Sequence, residues 1–266
     1  MEKNNASLAT AIQNLDLKNL LEIVLDNPMA HVNRVDFLAK IYNISDEDVR
    51  LGKIQSSLKE KEALAKRSIK NNITKSTSLS FASGIPGGLA LAGTIPADIL
   101  QNMIFSIRLI QELAYIYEYE ELIDKDGDLQ IDGIILFLGA MFSAQGAGSL
   151  IRIASVNAAN FASKKIMTSA LMKTVWYPLL KNISKVVASK TLTKKALAGA
   201  ATKAIPLIGG VASGGLTAVT MSVAAKKLNA ELVRGYKSNY SEDDFSKDIE
   251  IIEAEFEEIE SEEDKI

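Results

Sequence analysis

The chain contains no cysteine, a single histidine, His31, and only 6% aromatic residues among its 266. Without cysteine there is no disulfide framework, no thiol nucleophile and no thiolate metal site. With one imidazole, a catalytic triad or a histidine-rich metal centre would have to be assembled around a single residue. Alternating strand patterns of useful length and repeats of solenoid period are missing too. The most informative absence is of acid: from Gly133 to Ala230 there is no aspartate or glutamate, against 12 basic residues. Ordinary soluble surfaces mix both signs. The net charge of -3 hides this asymmetry, because Ser241 to Ile266 holds 13 acids and two lysines, a net of -11, while the rest of the chain carries +8.

What is present reads as helix. Leu8, Ile12, Leu15, Leu20, Leu21 and Val24 recur at helical spacing, and Asn27-Pro28 ends that helix. A second short helix is expected over Val32 to Tyr42. Ser45 and Asp48 form a capping box that opens a longer helix with the apolar stripe Ile54, Leu58, Ala65, Ile69 and Ile73. Pro96 suits the first turn of a helix running to about Tyr117, and a polar connection follows over Glu118 to Asp132. Another helix starts at Gly133 and continues past Ile151 toward Met167. In the acidic tail, Phe245, Ile249, Ile252, Phe256 and Ile259 fall on one helical face, with Ser241 as N-cap and fraying after about Glu260. The expected fold is therefore all-α: a helical bundle with glycine-rich apolar central helices and an acidic, amphipathic C-terminal helix. The expected organisation is an N-terminal helical segment (1–44), a main helical domain (45–240) and an acidic tail (241–266).

Three windows approach the roughly 20 apolar residues of a membrane-spanning helix: Ser76 to Ala97, Gly133 to Ile151 and Ala204 to Ala225. All are diluted by glycine, serine, threonine and alanine, and Pro86 and Pro96 interrupt the first. Helices buried on all sides of a bundle are preferred over spanning ones. Gly84, Gly87, Gly88, Gly93, Gly209, Gly210 and Gly214 are candidate helix-packing glycines, and Gly139, Ser143 and Ala147 repeat the small-residue spacing. The N-terminus offers Glu2, Asn4 and Asn5 in place of a secretory apolar run, so a cytoplasmic location is expected. Basic residues are drawn to an anionic leaflet by about 1 kcal/mol each when near it. Lys173, Trp176, Tyr177, Lys181 and Lys185 are the candidate membrane contacts.

The run Gly84-Ile-Pro-Gly-Gly, then Gly93-Thr-Ile-Pro-Ala-Asp98, Arg108, Gln111, Glu112 and Tyr115 to Tyr117, resembles the core signature of the EcsC family. The segment Ile205-Pro-Leu-Ile-Gly-Gly-Val-Ala-Ser-Gly-Gly215 is similar to that family's second glycine-rich element, and the resemblance spans approximately Ala65 to Gly235. In that family the tyrosine is commonly followed by glycine, whereas here Tyr117 precedes Glu118. The resemblance implies a helical fold and membrane association, since the family is named for a protein encoded beside the subunits of a bacterial ABC transporter. It implies no particular reaction.

On the helix from Pro96, Asp98, Gln101, Arg108, Glu112 and Tyr115 fall within roughly a 100-degree arc, with Gln111 beside it. Arg108 and Glu112 are four apart and placed to pair. If the helix is central, this stripe is a buried polar network that fixes register or recognises a polar ligand group; if it is peripheral, the stripe is a solvated face. Other motifs fail on inspection. Asp124, Asp126, Asp128 and Asp132 lack the glycine and terminal glutamate of a calcium loop. Val211-Ala-Ser213-Gly-Gly215 lacks the first glycine of a nucleophile elbow, and the glycines at 84, 87 and 88 lack the lysine of a phosphate loop. No metal, cofactor or catalytic residue is indicated, and the basic region lacks the aromatic interleaving of a nucleic-acid binder. The charge pattern implies a membrane-associated accessory protein, and the resemblance implies one peripheral to the bacterial inner membrane and linked to transport or secretion. Its expected partners are an anionic membrane surface or a membrane protein, with the acidic tail docking on the basic module. The alternative is a hydrolase or small-ligand-binding protein using the Asp98 to Tyr115 stripe.

Overall fold

The computed structural model describes residues 21–22, 24–77, 97–119, 131–153, 181–183, 186–187, 213–236 and 240–263. Among these the chain is all-α, with no strand. Asn27 caps a 3₁₀ turn over Pro28–Ala30, so the Asn27-Pro28 pair does end the preceding helical residues. Helix α1 (Arg34–Tyr42) starts at the Asn33 side chain, which accepts from the Asp36 amide, and stops where Asn43 turns left-handed at φ 56°.

The long helix expected from Ser45 is two helices. The Ser45–Asp48 box opens only α2 (Asp46–Arg50), which ends at Leu51 and Gly52, the latter at φ +66°. A second box, Ser57 with Glu60, starts α3 (Leu58–Thr77): the Ser57 amide donates to Glu60 Oε2 at 2.8 Å and the Glu60 amide to Ser57 Oγ at 3.3 Å. Left-handed backbone at Gly52 cannot continue a helix, so the stripe from Ile54 onward belongs to a separate element. Ala65 and Ile69 from that stripe are core residues of α3.

Helix α4 (Ala97–Ile116) is the axis of the bundle. From Met103 to Tyr117 every residue but Arg108 is buried, and α1, α3, α5 (Ile131–Met141), α7 (Ser213–Tyr236) and the 3₁₀ turn all pack on it. A helix buried around nearly its whole circumference needs partners for its polar side chains inside the bundle. It closes in a Schellman turn, with the Tyr119 amide donating to the Ala114 carbonyl at 3.1 Å and Glu118 left-handed at φ 60°. Glycine takes that conformation at least cost; a glutamate there is held by its own contacts.

Those contacts are with Lys61 and Tyr236. Lys61 is buried on α3 and donates through Nζ to the Ile116 carbonyl and to Glu118 Oε1, both at 2.9 Å, with the Tyr236 ring centroid 5.1 Å away. Tyr236 donates its hydroxyl to Glu118 Oε2 at 3.2 Å. Burial by itself lowers an ammonium pKa, but the Glu118 hydrogen bond and the neighbouring Tyr42, Glu118 and Tyr236 outweigh it and hold Lys61 above its ordinary 10.5. A folded-state value above the unfolded one adds stability that is complete below pH 10.5 and is lost as the pH climbs through the folded value. Melting curves between about pH 8 and about pH 11 should therefore show the wild type losing more stability than Lys61→Met. Equal alkaline losses would mean that the ammonium contributes nothing.

The apolar window from Gly133 does not form one helix running toward Met167. It breaks into α5 and α6 (Ala147–Ile153), because α5 closes in a second Schellman turn with Ser143 at φ 56° and Gly146 follows at φ 72°. The small residues of this window meet across the resulting hairpin: a Cβ on Gly139 would lie 3.1 Å from that of Ala147 and 2.5 Å from Ile183 Cγ2. At 11 residues α5 is about 16 Å long, and among the described residues no helix is long and apolar enough to cross a membrane. Most of the window Ser76 to Ala97 and the first nine residues of Ala204 to Ala225 lie outside the described residues, as do Gly84, Gly87, Gly88, Gly93, Gly209 and Gly210. Gly214 falls in the first turn of α7.

The tail forms α8 (Glu242–Glu263), with Ser241 and Asp244 in reciprocal capping bonds. Phe245 and Ile252 are buried and Ile249 is partly so, on the face that packs against α6.

Candidate functional site

The polar residues of α4 reach in two directions. Arg108 donates through Nη1 to the Met29 carbonyl at 2.8 Å and the His31 carbonyl at 2.7 Å. Gln111 donates to the Ala30 carbonyl at 2.7 Å and accepts from the Val32 amide at 3.1 Å, and the Tyr115 hydroxyl donates to the Val32 carbonyl at 3.4 Å. The Ala30 and His31 amides bond back to the Asn27 and Pro28 carbonyls, and α4 satisfies the carbonyls of residues 29–32 and the Val32 amide. Glu112 turns the other way, to α3. Its Oε2 accepts from the Ser68 hydroxyl and from Asn72 Nδ2, the latter at 2.7 Å. The Arg108–Glu112 pair expected from their spacing does not form, because each side chain has partners on a different element.

Between these two sets of bonds lies a cleft of about 320 Å³, bounded by α1, α3 and α4. Arg108 and Glu112 stand in it together, with Lys40, Arg67 and Lys75 around them and Val32, Phe37 and Ile41 as apolar wall. Asp36 is the acid besides Glu112 among its lining residues. His31 lines it as well, with Nε2 set against the Leu25 carbonyl. Of the other sequence candidates, Gln111 and Tyr115 stand behind the cleft as structural straps. Gln101 is half-buried and does not line it, and the Asp98 side chain lies outside the described residues. Lys40 and Arg67 were not legible as site residues, since nothing in their local sequence ties them to α4.

A second charged cluster joins α6, α7 and α8. Arg152 makes a bidentate pair with Asp248, through Nε to Oδ2 at 2.9 Å and Nη2 to Oδ1. It also binds Glu231 through Nη1 and Ser149 Oγ at 3.0 Å through Nη2. Tyr240 donates to Asp248 Oδ2 at 2.7 Å. Burial opposes the Arg152 charge, but Asp248 and Glu231 more than compensate and hold its pKa above the ordinary value. Burial, with the adjoining Asp248, pushes the Tyr240 hydroxyl well above the usual tyrosine range.

Of the candidate membrane contacts, Lys181 is exposed; Lys173, Trp176, Tyr177 and Lys185 lie outside the described residues. On α7, Lys226 and Lys227 are exposed and have no acid partner among the described residues, and Val223, 46% exposed, precedes them at helical spacing. Among the described residues no three histidine, cysteine, aspartate or glutamate side chains are grouped to hold a metal ion. No family model, curated protein or solved structure matches the chain.

Proposed function

We propose that this protein is a non-enzymatic accessory or interaction protein of the bacterial cytoplasmic face, attached peripherally to the inner membrane or a membrane protein and linked to transport or secretion. The observation that carries this reading is the face of α7 on which exposed Val223 stands beside Lys226 and Lys227, which have no acid partner among the described residues, within a span free of acid. Cations beside exposed apolar surface suit an anionic leaflet, where each basic residue near the surface adds about 1 kcal/mol. The EcsC-like signature supports the same reading.

The acidic helix α8 acts in this reading as an internal competitor for the basic surface. Support comes from its seating on α6 by Phe245 and Ile252 and from the Arg152–Asp248 pair. Neutralising its exposed acids together (Glu250→Gln, Glu253→Gln, Glu257→Gln and Glu258→Gln) leaves those seating contacts in place. The variant should bind phosphatidylglycerol-containing vesicles severalfold more tightly than the wild type at low salt, the difference closing as salt is added. Identical binding of the two proteins at every salt concentration would remove the competitor role.

The second reading, a small-ligand-binding protein, is favoured by one observation: Arg108 and Glu112 converge on a cleft instead of facing bulk water.

A further inference from the structure

The cleft between α1, α3 and α4 is chemically lopsided in a way that defines what would fill it. Four cations line it, Lys40, Arg67, Lys75 and Arg108, against Asp36 and the floor residue Glu112. Lys40 and Arg67 are exposed and make no ion pair or hydrogen bond among the described residues. Such a rim favours a group of two negative charges over a single carboxylate. The floor has the opposite need. Glu112 is only 7% exposed and takes both its bonds on Oε2; among the described residues it has no cation within ion-pair distance and no donor on Oε1. Behind it Asn72, wholly buried, leaves its Oδ1 without a partner as well. Asn72 does not line the cleft, so the accessible Glu112 Oε1 is the acceptor that a ligand's donor would reach.

We infer that the cleft binds a phosphate monoester or headgroup bearing an amino or hydroxyl donor, of the phosphoethanolamine type, its phosphate held by Lys40, Arg67 and Arg108 and its donor by Glu112 Oε1. The inference rests on the cleft being a binding site, the second reading above, and not on membrane attachment.

Calorimetric titration of the full chain tests it with three probes: phosphoethanolamine, inorganic phosphate and ethanolamine. Phosphoethanolamine should bind at least about tenfold more tightly than inorganic phosphate, the worth of one charge-assisted bond, and ethanolamine alone should not bind measurably. The double variant Lys40→Ala/Arg67→Ala, altered only at exposed positions, should lose both phosphate probes. Glu112→Gln should keep phosphate binding and erase the preference. Equal binding of the two phosphate probes overturns the inference while leaving an anion site; no binding of either at millimolar concentration overturns the inference and the ligand-binding reading together. Competition by vesicles containing phosphatidylethanolamine would identify the source as a lipid headgroup, and tight binding of the soluble probe without such competition a free phosphate ester.

Discussion

Replacing Arg152 with alanine is expected to lower the unfolding free energy by about 3 kcal/mol, near the lower end of the range for breaking a buried ion pair. One guanidinium joins three helices: its own α6, α7 through Glu231, and α8 through Asp248. The Asp248 side chain is 6% exposed, so it would be left buried beside the Tyr240 hydroxyl with no cation. Glu231 fares better, because Arg234 already lies 3.3 Å from it on the same helix. Arg152→Lys should fall between, since an ammonium cannot reproduce the bidentate pairing. Urea denaturation followed by circular dichroism measures all three proteins. A loss below about 1 kcal/mol for the alanine variant would place this cluster with ordinary surface ion pairs.

Gly139→Val should cost a comparable amount, about 3 kcal/mol, by overpacking. The added Cβ would sit 2.5 Å from Ile183 Cγ2 and 3.1 Å from the Ala147 Cβ, and the two γ-methyls would enter the same crowded space. The cost should shrink when Ile183→Ala is introduced alongside, because the two sites share one volume. Gly52→Ala is the contrast: nothing lies within 4 Å of its added Cβ, so only its left-handed backbone resists, at about 1 kcal/mol. Denaturation of the single and double variants reads out both effects, and an undiminished Gly139→Val penalty in the Ile183→Ala background would contradict the packing argument.

These two sites also mark the limit of what could be read from the sequence. Local signals were legible. The Asn27-Pro28 stop, the α4 helix beginning after Pro96 and the amphipathic α8 with its Ser241 cap each rest on contacts within a few residues. The break between α5 and α6 was not legible, because Gln145 alone interrupts an uncharged run and a single polar residue does not end a helix; the left-handed Ser143 and Gly146 separate the two. The Ser57–Glu60 box was written in the sequence but stood under an apolar stripe that runs on from Ile54. At the candidate site, the α4 stripe was visible as a periodicity, yet its partners were not. Gln111 meets Val32 across 79 residues and Glu112 meets Ser68 across 44, and spacing along a chain carries no record of such pairings.

The same division applies to charge. The acid-free span and the acidic tail are plain in the sequence, whereas the capture of Arg152 by Glu231 and Asp248 depends on the fold. That capture withdraws one cation from the basic surface; Lys226 and Lys227 remain exposed, with no acid partner among the described residues. The proposed attachment of this surface to an anionic, apolar boundary is open to fractionation of cells at low ionic strength followed by a salt wash. The protein should be recovered with the membranes and released by salt; finding it wholly in the soluble fraction at low salt would rule the attachment out.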